Sequence, residues 1–490
     1  MEILEKIINI CLRRGIIFPT AEIYGSVSGF YELGEIGKRI KDKLISLWKN
    51  FFVEENFVEI EGSIILPKDV LDASGHTKSF VDPIVKCKKC QTVFRADHLI
   101  EEKLNIYVEG KSVEELNKII KEKNIKCPKC NNELEDVKEF NLMFKTFIGP
   151  LAKEEAFLRP ETAQNIFIAF KRIMKSYRKK LPFAIYQVGY SFRNEISPRQ
   201  FLIRLRFFTQ AEIEMFFDPE NENCPIENYL ELKIPLLTRE AQRKNSNEIT
   251  WIKIKELLEK GIIKSKWQAY FLAKEFLFFT EVLKISEDKL RFRHVLEEET
   301  PFYSAGNFDL EYYFEGIGWK EIVGNAYRTD YDLSTHSKHS KEDLSVEKDG
   351  KKFIPHVAEP SFGIERILLA LFFEHYRERE WPYFSFPYKI SPYLIAVFPL
   401  VKNKEEILKK TREVYEFLKK EFGQDVIIDI SDSIGKLYAR ADEIGIPFAI
   451  TIDYQTLQDN TVTIRFRDSK EQKRLKIEEI PNFIKEILKE

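Results

Sequence analysis

Four of the six cysteines fall in two Cys-x-x-Cys knuckles, Cys87-Lys-Lys-Cys90 and Cys127-Pro-Lys-Cys130. Each knuckle sets two thiols on one side of a tight turn, and two such turns close a tetrahedral sulfur site. The chain between them must therefore fold back on itself, so 84–137 read as a zinc-binding insertion with a charged helix near 112–124. Zinc is the metal that suits four thiolates. Lys86, Lys88, Lys89, Lys126 and Lys129 crowd the turns and offset the negative charge of a zinc–tetrathiolate unit. Disulfides or two unrelated pairs are the alternatives, the former disfavoured in a reducing compartment. With Cys87, Cys90, Cys127 and Cys130 all used as ligands, the Zn2+ is expected to be structural. Cys11 and Cys224 stand alone and read as inert thiols.

The remaining length is ample for several cores. At 490 residues about three domains are expected, at ~150 residues each. Lys and Arg total 77 against 79 Asp and Glu, a net charge of −2, so no strongly basic chain argues for nucleic acid; a local basic surface stays open. With 44% hydrophobic and 32% charged residues, a disordered or collagen-like chain is excluded. No apolar run is long enough to span a membrane, and Glu2 and Glu5 do not suit a signal peptide. A soluble, cytoplasmic protein is expected.

Apolar spacing predicts helices over 3–13, 35–55, 161–178 and 361–376, and several more over 227–280. Strands are expected at 58–60, 183–192, 203–217 and 319–324, with a polar loop at 334–352. The turn between the two long strands centres on Ser197-Pro198-Arg199. From about 391 the texture changes to alternating strands (394–399, 425–430, 447–453, 461–466) and helices (403–421, 433–444 and a last one). This is a compact α/β unit, placed at 389–490 after a boundary near Pro387 to Pro392.

Phosphate motifs are absent. There is no G-x-x-x-x-G-K-[ST], and Gly316-Ile-Gly318 fails as a dinucleotide fingerprint because position 321 is Glu. A nucleotide must be gripped by side chains. Three segments supply them: Phe192-Arg193-Asn194-Glu195 with Arg204-Leu-Arg206-Phe207-Phe208, read as lying on two adjacent strands; Gly318-Trp319-Lys-Glu321 to Gly324, then Arg328; and His356-Val-Ala-Glu359-Pro360-Ser361-Phe-Gly363-Ile-Glu365-Arg366 at a helix start. Arginine makes forked contacts to phosphate and carboxylate, so arginines beside glutamates suggest a polyanion held with carboxylate-bound Mg2+. For any one of these residues alone, a solvated face or an ordinary ion pair explains it as well.

Together the segments resemble class II aminoacyl-tRNA synthetases. Motif 2 of that class reads Phe-Arg-x-Glu, loop, Arg-x-x-x-Phe; motif 3 reads Gly-x-x-x-Arg, one residue longer than Gly363-Ile-Glu-Arg366; Pro67 fits the end of motif 1. The stretches Asp72-Ala-Ser74-Gly75-His76, Arg95-Ala-Asp97-His98, Phe140-Asn141-Leu-Met143-Phe144, Leu158-Arg159-Pro160-Glu161-Thr162-Ala163-Gln164 and Glu359-Pro360-Ser361 resemble the glycyl-tRNA synthetases of the dimeric archaeal and eukaryotic type. So do Ile434-Gly435 to Pro447 and Thr461 to Asp468, which match that family's anticodon-binding domain.

The resemblance implies an α+β catalytic domain, an antiparallel sheet flanked by helices, in 1–83 and 138–388. The zinc-binding insertion interrupts it and an anticodon-binding domain follows it. It also implies glycine, ATP and tRNA(Gly) as substrates and a homodimer. By motif match, Arg193 holds the α-phosphate and the glycine carboxylate, Glu195 accepts from the adenine amino group, and Phe208 stacks under the base. Arg204 reaches the γ-phosphate, Arg366 covers the other adenine face, and Glu321 is the candidate Mg2+ ligand. Arg193, Arg366 and Glu321 form the expected catalytic set. Glu161, Glu212 and Glu359 would surround the ammonium of glycine, Ser361 would narrow the space beside Cα, and Arg328 is a candidate for the substrate carboxylate. Glu161 read as a mere helix N-terminal carboxylate is the alternative. Three carboxylates around one cation would be costly when empty, so one is expected to hold a proton without ligand. Every other amino acid is larger than glycine, so a filled pocket rejects them and no editing domain is expected.

In the C-terminal unit Arg465, Arg467, Arg440 and Lys436 are candidates to track the tRNA backbone, with Tyr438 to stack; a solvated sheet edge is an equal reading for each. The chain departs from the family at Arg206-Phe207-Phe208 (Arg-Glu-Phe elsewhere), at Pro301-Phe302-Tyr303 (Ala-His-Tyr), and at Leu437 and Phe466, which replace charged residues. Two rivals are a non-catalytic synthetase-like nucleic-acid-binding protein and a class II synthetase for another amino acid. Arg193, Glu195, Glu321 and Arg366 speak against the first, and Glu161 with Glu359-Pro-Ser361 against the second.

Overall fold

The computed structural model describes residues 2–489 apart from 105, 107, 109, 197, 199 and 302. Ser197 and Arg199 of the expected turn, and Phe302, lie outside the described residues. The body is a nine-stranded sheet ordered Thr250–Lys253, Lys233–Leu237, Leu290–His294, Asn307–Phe314, Gly318–Thr329, His356–Gly363, Phe207–Phe217, Phe183–Phe192, Phe57–Glu59. The pairings are antiparallel except where Phe57–Glu59 joins Phe183–Phe192 and Lys233–Leu237 joins Leu290–His294.

The strand Phe207–Phe217 shows how the sequence places the site. Side chains of a strand alternate between faces. Ala211, Ile213, Met215 and Phe217 enter the main core. On the opposite face Phe208, Gln210, Glu212 and Glu214 are polar or half-buried until Phe216, which joins a second apolar cluster. The main core takes Ile40, Leu44, Trp48 and Phe52 of the helix Glu35–Phe52, all fully buried and four residues apart, so they form one stripe. Trp48 and Phe52 meet Phe362 at ring-centroid distances of 5.5 and 4.9 Å. The second cluster joins Phe167 and Phe170 of the helix Ala163–Ser176 to Phe183 and Phe216.

Several expectations require correction. The region 227–280 is not only helical: Lys233–Leu237 and Thr250–Lys253 extend the sheet edge. The expected strand at 319–324 is the first half of Gly318–Thr329, paired with Asn307–Phe314, which the apolar pattern did not reveal. The polar loop 334–352 contains the helix Tyr331–Ser340 and a hairpin of Val346–Lys348 with Lys351–Phe353. The helix expected from 361 starts at Ile364, because His356–Gly363 pairs with two neighbours in the sheet. The arginines expected on adjacent strands (Arg193, Arg204 and Arg206) lie in the connection between them, since the second strand begins at Phe207. Strand pairing is decided by distant partners, so local pattern places such edges poorly.

The knuckles sit on a separate three-stranded sheet ordered Val93–Arg95, Val81–Lys86, Lys138–Asn141, with the helices Ala96–Leu104 and Val113–Glu122 over it. Ser112 caps the latter through the Glu115 amide, and Glu115 accepts in return from the Ser112 amide, a full capping box. The C-terminal unit is a five-stranded mixed sheet ordered Val426–Ile428, Ile395–Pro399, Phe448–Ile452, Thr461–Phe466, Gln472–Lys476. Among the described residues no helix is long and apolar enough to cross a membrane.

Candidate active site

A cavity of about 350 Å³ opens on the polar face of the sheet. Arg193, Glu195, Arg204, Phe208, Glu321 and Arg366 line one end, and Glu161, Glu212, Glu359 and Ser361 the other. The strands Phe207–Phe217, Gly318–Thr329 and His356–Gly363, the connection that carries Arg193, Glu195 and Arg204, and the starts of the helices at Ala163 and Ile364 thus converge. A broader groove of about 1170 Å³ near Glu54 and Glu222 is lined by glutamates with two lysines and no arginine, so it lacks forked anion contacts.

At the first end Arg193 donates from Nε to the Pro160 carbonyl at 3.2 Å, and its guanidinium lies 5.4 Å from the Phe208 ring centroid and 5.3 Å from that of Phe80. Arg366 donates to the Ile203 carbonyl at 2.9 Å and to Glu321 Oε2 at 3.0 Å. Burial pushes the Glu321 carboxyl up, but Arg366, Arg193 and Arg293 together hold it below its ordinary value. Its side chain stays 46% exposed within the cleft, open to an incoming cation. Glu195 Oε2 lies 3.7 Å from Arg204 Nε, and its carbonyl accepts from Arg206 at 3.0 Å. Arg206 also reaches back to the Ser28 carbonyl at 2.7 Å, tying the chain ahead of the helix Glu35–Phe52 to this connection.

Sequence reasoning missed a second layer here. Arg293 donates to Glu299 at 2.5 Å and to Asp309 at 2.8 Å. Burial and the charge of Glu321 push the Asp309 carboxyl up to about 7 despite Arg293. The period-two alternation of charge in Arg291-Phe-Arg293 and Asp309-Leu-Glu311 was the available signal. Lys41 of the first long helix is also drawn in, donating to Thr209 Oγ1 at 2.5 Å and to Glu365 at 2.8 Å.

At the second end the carboxylates differ in how far they are engaged. Glu212 accepts from the Thr162 amide at 2.9 Å, from Thr162 Oγ1, from Gln210 at 3.0 Å and from Ser361 Oγ at 2.6 Å, which occupies both of its oxygens. Burial, then the charge of Glu161, raise its pKa all the same. Glu161 accepts from Gln164 at 2.8 Å and lies 3.4 Å from His76 Nε2. Burial opposes its charge, yet His76 and Arg328 hold it low. It precedes the helix Ala163–Ser176 by two residues and faces these partners, so it is more than a helix-terminal charge. Burial raises the Glu359 carboxyl, against the pull of Arg328.

Arg328 requires correction. Expected to hold a substrate carboxylate, it is 1% exposed and is not part of the cavity lining. Its guanidinium forks onto Asp332 at 2.7 and 2.9 Å, donates to Glu359 at 2.8 Å and lies 3.9 Å from the Tyr303 ring centroid. It braces the wall rather than facing the ligand.

The C-terminal candidates also divide. Arg465 is buried and forks onto Asp442 at 2.9 Å on both nitrogens; Arg467 is buried and donates to the carbonyls of Gly445 and Phe386 at 2.8 and 3.0 Å. Tyr438 lies against Arg465, 4.7 Å from guanidinium carbon to ring centroid, and bonds Thr451. Arg465 and Arg467 are enclosed by these partners, so the expected backbone contacts have no open guanidinium there, whereas Tyr438 is half-buried. Leu437 and Phe466 belong to apolar clusters, which is what placed them there. Lys436 and Arg440 remain on the open side of the helix Ile434–Glu443, paired with Asp432 at 3.3 and 2.8 Å.

The four knuckle sulfurs lie within 4.8 Å of one another. Cys87 to Cys130 is 3.4 Å and Cys90 to Cys127 is 3.6 Å, close to the ~3.8 Å edge of a tetrahedron with ~2.3 Å zinc–sulfur bonds. Both knuckles use the same turn: the Cys87 amide meets the Thr92 carbonyl and the Cys127 amide the Asn132 carbonyl, each at 2.9 Å. Each ends in a left-handed residue, Gln91 and Asn131. The donor set and its spacing fit zinc.

Comparison with known proteins agrees with this geometry. Residues 146–376 match the tRNA synthetase class II core domain (G, H, P, S and T), and 394–487 match the anticodon binding domain. A prolyl-tRNA synthetase from Cryptosporidium parvum, solved with L-proline and AMP, superposes with a TM-score of 0.60 at 15% identity, covering 99% of this chain and 74% of that one. Fold and cavity therefore define a class II aminoacyl-tRNA synthetase core joined to an anticodon-binding domain. The glycine–tRNA ligase of Methanocaldococcus jannaschii is 41% identical over the whole of both chains, and that of Pyrococcus furiosus 42% identical over 99% of each. That of Aeropyrum pernix is 39% identical over 98% of this chain and 96% of its own. The chain belongs to the glycine–tRNA ligase family.

Proposed function

We propose that this protein activates glycine with ATP and transfers it to the 3′ end of tRNA(Gly). The observation that carries the reading is the two-ended cavity: arginines and Phe208 at one end, a carboxylate cup closed by Ser361 at the other. In the first step a glycine carboxylate oxygen attacks the α-phosphorus, the bond to the β-phosphate bridging oxygen breaks, and pyrophosphate leaves. In the second a terminal ribose hydroxyl attacks the glycyl carbonyl, AMP leaves, and the hydroxyl proton is lost.

The chain supplies no covalent nucleophile in this scheme; it positions two anions and spreads their charge. Arg193 bridges the glycine carboxylate and the α-phosphate, and with Arg328 behind the wall it carries the carboxylate contact alone. Glu195 receives the adenine amino group, Phe208 and Arg366 sandwich the base, and Arg204 takes the γ-phosphate. Glu321 would hold Mg2+, which when bound neutralises phosphate charge. The pair of Arg366 and Glu321 must open when cation and phosphates arrive. Glu161, Glu212 and Glu359 form the anionic cup for the ammonium, and the hydroxyl of Ser361, fixed on Glu212, blocks the space a larger side chain needs. Pyrophosphate exchange into ATP with glycine, and none with alanine or serine, is the result that tests this reading.

Zn2+ in the four-cysteine site would hold the insertion together and take no part in the chemistry. The expected result is one zinc per chain by elemental analysis, lost in Cys127→Ser. Amides within 81–141 should then exchange rapidly while the nine-stranded sheet stays protected. A cytoplasmic homodimer is part of the proposal. Exposed Phe147 and Leu151 sit on or just after the edge strand Lys145–Ile148 of the small sheet whose opposite edge, Ile65–Pro67, ends in Pro67. Leu151→Glu with Phe147→Glu is expected to convert a dimer to monomer in sedimentation velocity.

A further inference from the structure

Glu214 follows Glu212 on the polar face of the strand Phe207–Phe217, one step deeper, and does not reach the cavity. It is fully buried. Neither of its carboxyl oxygens receives a hydrogen bond from a donor among the described residues. In the antiparallel register that sets Glu212 against Ser361 and Met215 against Ala358, Glu214 falls opposite Glu359, whose Oε2 already accepts from Arg328. The charged groups facing it are Glu359, Arg328 and Glu212. Arg328 is forked onto Asp332, so no cation is left to sit between the two carboxyls.

Two buried carboxyls set opposite each other, one with Arg328 and the other with no donor, are stable only if one of them holds a proton. Glu359 has Arg328 on one oxygen; Glu214 has no such donor. The proton therefore belongs on Glu214, which makes Glu214 the donor and Glu359 the acceptor. Burial and Glu359 push the Glu214 carboxyl well above its ordinary value, in agreement.

We propose that Glu214 is a positioning residue: a neutral carboxylic acid that donates a hydrogen bond to Glu359 and keeps that carboxylate anionic and aimed at the ammonium of the substrate. The inference rests on the glycine-pocket reading above. It identifies which of the clustered acids takes up the proton: the one behind the wall, so that the cup keeps its charge.

The test combines pyrophosphate-exchange kinetics with infrared spectroscopy of the full-length enzyme. Glu214→Met, similar in size and without a donor, is expected to raise KM for glycine by roughly tenfold or more while KM for ATP stays within about twofold. Glu214→Gln, which keeps a donor, should recover most of that loss. Independently of activity, the carbonyl band of a neutral carboxylic acid should diminish in Glu214→Gln. Glu275→Gln serves as the reference, since Glu275 is a second buried acid raised by burial. A Glu214→Met enzyme with unchanged KM for glycine overturns the proposal. So does a Glu214→Gln enzyme as impaired as Glu214→Met, or a neutral-acid band that Glu214→Gln leaves intact. If the wild-type chain shows no glycine-dependent exchange, the pocket reading fails instead, and the infrared result alone decides whether Glu214 holds the proton.

Discussion

Replacing Arg193 with alanine is expected to lower glycine-dependent pyrophosphate exchange by roughly 10²–10³-fold, the cost of removing one preorganised donor from developing charge. The side chain is set for this task before any ligand arrives. Its Nε is committed to the Pro160 carbonyl, its backbone amide to the Arg206 carbonyl at 3.1 Å, and its guanidinium lies near two rings, Phe80 and Phe208. Held in this way, the side chain lines the cavity. Arg193→Lys should recover little, because a point charge cannot span two anions as a fork does. Thermal stability should change little, because the residue belongs to a connection and not to either apolar cluster. Exchange that persists within tenfold in Arg193→Ala would shift the α-phosphate contact to Arg366 or Arg204.

The second large effect is on stability. Asp442→Ala is expected to destabilise the C-terminal unit by about 3–5 kcal/mol, the cost of stranding a buried charge. Asp442 is 1% exposed and receives both nitrogens of Arg465, Nη2 of Arg379 and the indole of Trp381 at 3.2 Å. Arg379 and Trp381 lie before the five-stranded sheet, so this one carboxylate fastens the unit to the segment that leads into it. Urea unfolding should show an early transition in the variant. The double variant Asp442→Leu with Arg465→Met should recover part of the loss, because an apolar pair of similar volume needs no charge compensation. Early unfolding that the double variant does not relieve would make Arg379 and Trp381, not Arg465, the partners that matter.

Much of this protein was legible in its residues. The knuckles, the amphipathic stripe of 35–52 and the strand 183–192 follow from spacing alone, because each depends on near neighbours. The arginines flanking Phe192 and Phe207 could be named as an anion site for the same reason. Period-two alternation in Phe207–Phe217 even places Glu212 and Glu214 on one face.

What those glutamates do there was decided only by tertiary structure. Glu212 is engaged by Thr162 and Ser361, which lie 50 and 149 positions away along the chain. Glu214, two residues on and chemically identical, has no donor and stands opposite Glu359 in the strand register instead. Arg328 and Arg465 carry the same forked group as Arg193, but Arg328 is held by Glu359 of the neighbouring strand as well as by Asp332 four residues on, and Arg465 is held by Asp442, 23 residues away. A sequence determines residue type and the face each residue takes on its own element. Whether a charge meets a ligand, a proton or a structural partner depends on the donors and acceptors that remote elements bring within ~3 Å, where nearly all of a hydrogen bond's energy lies.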